Sequence, residues 1–356
     1  MERKLTRVVR VGDVKIGGDN MITVQSMCST DTKDIAATLR QIGELSDAGC
    51  DIVRLAVPDI GAVKALSLIR EKAGIPIVAD IHFDYKLAIE AVNAGADKIR
   101  INPGNLGGAD KLEKVARACL QRGVPIRIGV NAGSIEEDIL KKYGAASALG
   151  MVKSAFGYIE RLNSFGFYDI VVSLKASSVA TTIEAYRLFS KASDYPLHIG
   201  VTEAGTYRMG LIKSSVGIGS LLCDGIGDTV RVSLTADPRL EVEAGRNILR
   251  ACGIQKEGIE IISCPTCGRC RLDIMSIADR LEQELKGIKT PVKVAVMGCA
   301  VNGPGEAREA DIGLAGGDGM CLMFKRGIPF KSVPEDKIVA EMIEEINNMV
   351  LGGVGL

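Results

Sequence analysis

The sequence predicts an α/β protein with a closed (β/α)8 barrel over residues 1–252 and a small α+β domain over residues 253–356. Short Val/Ile-rich runs recur eight times in the first 250 residues, and stretches with helical spacing separate them. This alternation is typical of parallel strands that are buried on both faces. The rhythm changes after residue 252, and a chain of 356 residues fits one large domain plus a smaller one.

The predicted barrel strands are apolar runs that each end in polar residues. They lie at 22–27, 52–57, 77–83, 98–102, 125–131, 170–177, 198–205 and 229–234. Helical spacing fills the stretches 30–48, 85–94, 178–192 and 238–249. An open doubly wound sheet is the alternative, but no Gly-x-Gly-x-x-Gly turn follows the first strand. A repeat of eight units therefore favours the closed barrel.

Alternate residues of seven predicted strands form one polar frame, which we expect to face the barrel interior. Its members are Arg54, Ala56, Asp80, His82, Arg100, Asn102, Arg127, Gly129, Asn131, Ser173, Lys175, Gly200, Thr202, Arg231 and Ser233. Five of them are cations, and only Asp80 and Glu203 oppose these. Internal salt bridges are the alternative, but two carboxylates cannot pair with five cations. The frame predicts a polyanionic substrate such as a diphosphate, with Glu203 as the acid/base candidate.

The predicted second domain places cysteines at two strand ends. A strand ending at 263 leads into 264-CPTCGRC-270, and a helix spans 272–286. A second strand at 291–298 leads into 299-CAVNGPGEA-307, followed by a hairpin at 311–327 and a helix at 334–350. This order is typical of a small α+β sandwich.

The cysteine spacing predicts a metal centre on sulfur. Cys264, Cys267 and Cys270 have the C-x2-C-x2-C spacing of a [4Fe–4S] site, and with Cys299 they are the ligands that spacing alone would select. Cys-ligated zinc and a reactive or structural thiol pair remain alternatives. The Gly-Pro-Gly loop also presents Glu306 seven residues after Cys299.

Composition excludes several classes of protein. Lys plus Arg (44) equals Asp plus Glu (44), so the charge balance argues against a nucleic-acid binder or a polybasic membrane partner. Two histidines leave little room for a histidine-rich metal site. The N-terminal residues lack the apolar core of a secretory signal, and no run approaches a membrane span. We therefore expect a soluble cytoplasmic protein whose ten cysteines are ligands or core residues.

The motifs together resemble the 4-hydroxy-3-methylbut-2-enyl diphosphate synthase (IspG or GcpE) family of the methylerythritol phosphate isoprenoid pathway, in its compact two-domain bacterial form. The carrying segments are 24-VQSM-27 with 31-DT-32, 54-RLAVP-58, 79-ADIHF-83, 98-KIRINPGN-105, 127-RIGVN-131, 173-SLKAS-177, 201-VTEAG-205, 231-RVSLT-235, 264-CPTCGR-269 and 299-CAVNGPGEA-307. They span nearly the whole chain, and the last two together are highly specific.

The resemblance implies a TIM barrel, a flexible link and a cluster domain like those of sulfite and nitrite reductases. It implies an oxidoreductase that opens the ring of 2-C-methyl-D-erythritol 2,4-cyclodiphosphate with two electrons, giving 4-hydroxy-3-methylbut-2-enyl diphosphate and water. Reduced ferredoxin or flavodoxin would supply the electrons, and a homodimer would share each site between its subunits. The alternative is a phosphate-ester barrel enzyme similar to dihydropteroate synthase, with a structural zinc module.

The resemblance also assigns roles to residues. It implies that Cys264, Cys267, Cys299 and Glu306 hold a [4Fe–4S] cluster, with Cys270 as a competing thiol. Substrate contacts would come from Arg54, Arg100, Arg127, Asn131, Lys175, Thr202, Arg231 and Ser233. Glu203 would protonate the departing hydroxyl and Asn302 would position the substrate, while Asp80 and His82 would assist at the barrel mouth. Cys28 stands at a strand end where the family often carries a small polar residue.

Overall fold

The structure is a computed structural model, and it describes residues 2–131, 133, 135–143, 147–299, 307–317 and 319–352. The chain divides into two compact units, Met1–Ile254 and Gln255–Leu356. Within the described residues, no helix is both long and apolar enough to cross a membrane.

The first unit is a parallel barrel, as predicted. Its strands are β3 (Thr23–Met27), β4 (Ile52–Ala56), β5 (Ile77–Ile81), β6 (Lys98–Ile101), β7 (Ile126–Asn131), β8 (Ile170–Lys175), β9 (His198–Ile199) and β10 (Thr229–Val230). They pair in the order β8-β7-β6-β5-β4-β3-β10-β9, and a parallel bridge between Val172 and Leu197 brings the two ends of the sheet together. Each strand lies inside one of the eight predicted runs.

Helices surround the barrel and begin where side chains cap them. The described helices are α1 (Ile35–Asp47), α2 (Ile60–Arg70), α3 (Tyr85–Asn93), α4 (Ala109–Arg122), α5 (Glu137–Tyr143), α6 (Ala148–Ser164), α7 (Val179–Ala192), α8 (Tyr207–Cys223) and α9 (Pro238–Ala251). The carboxylate of Asp34 accepts a hydrogen bond from the amide of Ala37, so α1 begins at residue 35 and not at the predicted residue 30. Asp59 caps α2 in the same way.

A hairpin that the sequence did not predict covers the amino-terminal ends of the strands. Its strands are β1 (Val9–Val11) and β2 (Val14–Ile16), which pair antiparallel. Val11 and Ile16 are fully buried in one cluster with Ile52 and Val78, near the start of β4 and β5. The barrel therefore has an apolar floor, and its polar interior lies towards the carboxyl ends of the strands.

The second unit is a five-stranded sheet with helices on one face. Its elements are β11 (Ile259–Ser263), α10 (Ile274–Glu284), β12 (Val292–Met297), β13 (Ile312–Gly316), β14 (Met320–Lys325), β15 (Ile328–Pro334) and α11 (Ile338–Leu351). β11, β12 and β13 are parallel, while β14 and β15 are antiparallel to their neighbours. Leu281 of α10 and Met342 of α11 are buried in a core with β12–β14. The sequence missed β15, and α11 begins at residue 338 and not at 334.

Candidate active site

The strand register shows which residues face the barrel interior. It also settles this for β3, the first barrel strand, whose inward residues the sequence did not predict. The guanidinium of Arg54 donates to the sulfur of Met27 from Nε at 3.0 Å and from Nη2 at 2.9 Å. Met27 is paired in register with Arg54, so Thr23, Gln25 and Met27 point inwards. Ser26 points outwards and donates to Glu241 at 3.1 Å.

Asp80 is the hub of the predicted polar frame. Its Oδ1 lies 3.2 Å from Nη1 of Arg100, and its Oδ2 lies 3.6 Å from Nε of Arg54 and 3.3 Å from Nε2 of His82. Burial alone would raise the pKa of Asp80, but the charge of Arg54, the hydrogen bond with His82 and the charge of Arg100 outweigh it and lower the pKa. Asp80 therefore holds two of the five predicted cations.

The barrel interior contains more cationic side chains than Asp80 can pair with. Burial and then the charges of neighbouring arginines depress the pKa of Arg127 and Lys175 well below their usual values. Burial likewise lowers the pKa of Arg54 to about 9, against the attraction of Asp80. Arg231 lies 3.5 Å from Glu241, not beside Glu203. The structure therefore brings all five cations within each other's electrostatic reach.

Two inward glycines make room for these long side chains. A Cβ on Gly129 would lie 2.9 Å from Nε of Arg100. A Cβ on Gly200 would lie 2.7 Å from Nζ of Lys175 and 2.3 Å from the carbonyl oxygen of Arg231. Real Cβ atoms essentially never approach other atoms this closely, so a side chain at either glycine would displace Arg100 or Lys175.

The other predicted residues of the barrel lie at the carboxyl end of the frame. Asn102 and Ser173 are buried, whereas Asn131, Thr202 and Ser233 are partly exposed. His82 and Glu203 are exposed. Glu203 has a φ of +50°, in the left-handed region that non-glycine residues rarely adopt. These groups surround the carboxyl-terminal opening, where barrel enzymes place their active sites.

Sequence reasoning missed three buried charged or titratable residues. Lys98 and His198 are fully buried and belong to the inward frame, two residues before Arg100 and Gly200. Glu241 lies on helix α9, and its Oε1 accepts from the amide of Leu234 at 3.0 Å. Strand alternation could have found the first two, but it gives no signal for a carboxylate on an outer helix.

Four cysteines of the second unit line one cavity of about 120 Å³. Its lining residues are Cys264, Pro265, Cys267, Arg269, Cys270, Gly298 and Cys299. The amide of Gly298 donates to the sulfur of Cys264 at 3.2 Å. Hydrogen bonds from the backbone and side chain of Arg269 lower the pKa of Cys267, which favours its thiolate. Thiolate donors and N–H groups aimed at sulfur fit an iron–sulfur cluster.

Cys270 differs from its neighbours in the cavity. Its thiol donates to the carbonyl of Leu272 at 3.1 Å, and it packs so closely against Gly298 that a Cβ there would lie 2.3 Å from its sulfur. In the described part of the chain, no three His, Cys, Asp or Glu side chains are placed to hold a single metal ion. The predicted ligand Glu306 and the predicted positioning residue Asn302 lie outside the described residues.

Cys28 is a buried thiol at the end of β3. Burial, with a smaller effect from Cys50, raises its pKa to about 12. Its amide donates to the carbonyl of Arg54 at 3.0 Å. Cys28 is therefore protonated at neutral pH, and its packing is that of a small apolar residue.

A parallel barrel with a cationic interior, followed along the chain by a unit with a cysteine-lined cavity, defines a two-domain TIM-barrel enzyme. The chain matches the family models "GcpE TIM-barrel domain" over residues 6–246 and "GcpE protein C-terminal domain" over residues 260–348, and it belongs to the GcpE family.

Curated relatives match the chain over nearly its whole length. They include proteins from Caldanaerobacter subterraneus subsp. tengcongensis (56% identical, 98% of each chain) and Geobacter sulfurreducens (53% identical, 97% of this chain and 98% of that one). Both are named 4-hydroxy-3-methylbut-2-en-1-yl diphosphate synthase (flavodoxin). The predicted family, fold class and enzymatic function are confirmed.

Solved structures of other families share the barrel. A dihydropteroate synthase from Yersinia pestis is 13% identical with a TM-score of 0.51, covering 69% of this chain and 100% of its own. An N-acetylneuraminic acid synthetase from Leptospira borgpetersenii has the same identity and TM-score, covering 71% and 91%. At this identity the likeness shows the fold alone. The alternative of a dihydropteroate-synthase-like activity is not favoured.

Proposed function

We propose that this chain reductively opens the ring of 2-C-methyl-D-erythritol 2,4-cyclodiphosphate. Two electrons and two protons are consumed, one ring C–O bond to phosphate and one C–OH bond break, and 4-hydroxy-3-methylbut-2-enyl diphosphate and water leave. The observation that carries the proposal is the excess of cations in the barrel. Its interior frame holds Arg54, Arg100, Arg127, Lys175 and Arg231, and among the described residues only Asp80 and Glu241 pair with them.

The diphosphate of the substrate supplies the negative charge that this frame lacks. Arg54 and Arg100 turn from Asp80 to phosphate oxygens, and Arg127, Lys175 and Arg231 complete the cationic lining. Arginine forks bind phosphate oxygens in pairs, which fixes orientation as well as charge. Asn131, Thr202 and Ser233, at the carboxyl ends of their strands, donate neutral hydrogen bonds that orient the substrate.

Glu203 supplies a proton to the departing hydroxyl, and Asn302 helps to position the substrate. The left-handed backbone at Glu203 supports this role, since strained residues concentrate at active sites. Asp80 holds His82 at the mouth, within reach of the bound substrate. Replacement Glu203→Gln should lower kcat by about 100-fold with little change in KM, the usual effect of removing a general acid. An unchanged kcat would remove Glu203 from the mechanism.

The second unit would hold a [4Fe–4S] cluster on Cys264, Cys267, Cys299 and Glu306. Such a cluster supplies electrons one at a time to the bound substrate. The cavity that Cys264, Cys267 and Cys299 line, and the N–H bond to Cys264, support the three cysteine ligands. A carboxylate is a harder ligand than a thiolate, so Glu306 would be the most weakly held of the four ligands.

Anaerobic reconstitution with iron and sulfide tests the cluster and its ligands. We expect a brown protein with broad absorbance near 400 nm, as charge transfer from sulfur to iron produces. Cys264→Ser should lose the cluster. Cys270→Ser should retain it, as should the exposed control Cys223→Ser. Glu306→Ala should retain the cluster but lose turnover. A colourless zinc-loaded protein with full activity would overturn the proposal. Loss of the cluster in Cys270→Ser, with activity kept in Glu306→Ala, would overturn the ligand set.

Reduced flavodoxin or ferredoxin is the proposed electron donor, and the cytoplasm the proposed location. The relatives carry flavodoxin in their printed name, and all ten cysteines are free thiols, as in a reducing compartment. The decisive assay is turnover of the cyclodiphosphate by the reconstituted protein with reduced flavodoxin. Turnover without any reductant would instead indicate the phosphate-ester chemistry of the alternative.

We further propose a homodimer in which the barrel of one subunit works with the cluster domain of its partner. Mixing an inactive barrel variant, Arg100→Met, with an inactive cluster variant, Cys264→Ser, tests this arrangement. A mixed dimer has one intact site if sites are shared between subunits, and none if each subunit works alone. Recovery of activity on mixing is the expected result. No recovery from dimers shown to be mixed would contradict it.

A further inference from the structure

The deeper part of the barrel interior holds buried polar atoms that no other protein atom satisfies. Within the described residues, these atoms have no hydrogen-bond partner: Thr23 Oγ1, Gln25 Nε2 and Oε1, Lys98 Nζ, Arg127 Nε and Nη1, and His198 Nε2. Each of these side chains is more than nine-tenths buried. A buried polar group without a hydrogen-bond partner destabilises the folded state, and native proteins contain few such groups. Five such residues inside one barrel therefore indicate that a ligand binds there or that some of these side chains change their protonation state.

Strand register places Lys98 and His198 one layer below the proposed substrate contacts. Lys98 precedes Arg100 by two residues, and His198 precedes Thr202 by four, so each shares a face with a predicted contact. Nδ1 of His198 lies 3.4 Å from Oγ1 of Thr229, which leaves Nε2 as the unsatisfied atom. Neither residue belongs to the contacts that the family resemblance implies.

The charges around these two residues are almost all positive. The charged and titratable groups of the inward frame are Arg54 of β4, Asp80 of β5 and His82 after it, Lys98 and Arg100 of β6, Arg127 of β7, Lys175 of β8, His198 of β9 and Arg231 after β10. Glu241 of the outer helix α9 reaches Arg231 from behind the barrel. Asp80 is already bound to Arg54, Arg100 and His82, and Glu241 to Ser26 and Arg231. No carboxylate among the described residues is left for Lys98 or His198.

Burial and like charges therefore oppose protonation of both residues in the empty barrel. Burial and then Arg127 and Arg54 hold the pKa of Lys98 well below its usual value. Burial and then the charge of Arg127 do the same for the pKa of His198. A ligand that cancels the charge of the arginines would remove most of the electrostatic part of this opposition.

We propose that Lys98 and His198 form an inner layer of the anion site that takes up protons when a diphosphate binds above it. The inference rests on the proposed diphosphate site. Protons from solvent add to Nζ of Lys98 and Nε2 of His198, and the new charges attract the diphosphate in turn. Protonation and binding favour each other by the same free energy, so affinity falls as pH rises.

Calorimetry with inorganic pyrophosphate and the full-length protein measures this proton uptake directly. The observed binding enthalpy at pH 7.5, in buffers of different ionisation enthalpy, gives the number of protons taken up. Pyrophosphate itself titrates, so the difference between proteins is the readout. We expect Lys98→Met and His198→Gln each to take up fewer protons than the parent, and Lys98→Met to bind roughly tenfold more weakly, the equivalent of one pKa unit. The exposed Lys64→Met on helix α2 should match the parent.

The outcomes separate the inner layer from the site above it. If Lys98→Met and His198→Gln both take up as many protons as the parent, the inner layer is wrong and the diphosphate site stands. If the parent does not bind pyrophosphate, or Arg127→Met binds it equally well, the diphosphate site fails and the inner layer fails with it. His198→Gln retains a polar side chain of similar size, so the test survives if the lysine variant does not fold.

Discussion

Replacement Asp80→Asn removes the carboxylate that holds two buried arginines. At an effective dielectric constant of about 20, charges separated by 3.2 Å, as Asp80 and Arg100 are, attract by roughly 5 kcal/mol. The 3.6 Å contact with Arg54 adds nearly as much, and the desolvation of all three groups opposes both. Loss of one partner from a buried ion pair costs about 3–5 kcal/mol. We expect the free energy of unfolding to fall by that amount at pH 7.

Urea unfolding followed by circular dichroism measures this loss, and pyrophosphate should reverse part of it. Without Asp80, the freed arginines bind the added anion more tightly, and tighter binding to the folded state adds stability. Asp194→Asn is the matched control, because its 2.9 Å contact with Arg7 is exposed and should be worth no more than about 1 kcal/mol. A loss below 1 kcal/mol in Asp80→Asn, or one that pyrophosphate leaves unchanged, would show that Asp80 does not hold the buried arginines.

Three further changes test the barrel and its thiols. Gly200→Ala should abolish pyrophosphate binding in calorimetry, because its Cβ would lie 2.3 Å from the carbonyl oxygen of Arg231. Iodoacetamide at pH 8 should label Cys267 of the cluster-free protein, whose pKa is lowered, before Cys28, whose pKa is about 12. His198 is neutral in the fold and charged when unfolded below its usual pKa. The free energy of unfolding should therefore decrease as the pH is lowered from 6.5 to 5, by up to about 1.4 kcal/mol per pH unit. Urea unfolding of His198→Gln should show a smaller dependence on pH.

Each of these three predictions has its own control. Gly74→Ala should bind pyrophosphate normally, because nothing lies within 4 Å of a Cβ there. Cys119, whose pKa burial raises to about 12, should resist iodoacetamide as Cys28 does. Equal labelling of Cys267 and Cys119 would contradict the assigned thiol environments. A slope that is the same with and without His198 would show that this residue is not the group that titrates.

The barrel was predictable because its signal repeats eight times and its strands alternate strictly. The same alternation selected Arg54, Arg100 and Arg127 as inward residues, and the strand register agrees with it. The hairpin β1–β2 and strand β15 escaped prediction, because strands of three residues and an exposed edge strand carry little apolar pattern. The pairing of Arg231 with Glu241 depends on a helix packed behind the barrel, which no local pattern encodes.

Cysteine spacing alone could not decide which thiols of the second unit to propose as ligands. Four thiols line one cavity, and the sequence gives each the same letter. Their local contacts distinguish them: the thiol of Cys270 is engaged by the carbonyl of Leu272, while hydrogen bonds favour the thiolate of Cys267. These differences arise from backbone geometry after the chain has folded, so they lie beyond what spacing can predict.

The apolar floor formed by Val11, Ile16, Ile52 and Val78 has an electrical consequence. Hydrocarbon has a low dielectric constant, so the field of the buried cations cannot spread downwards and emerges mainly through the open end of the barrel. Clefts of this kind raise the association rates of oppositely charged ligands by about 10- to 1,000-fold, and added salt removes the effect. A small hairpin at the amino-terminal end of the barrel thus helps to set how quickly an anion finds the opening at the other end.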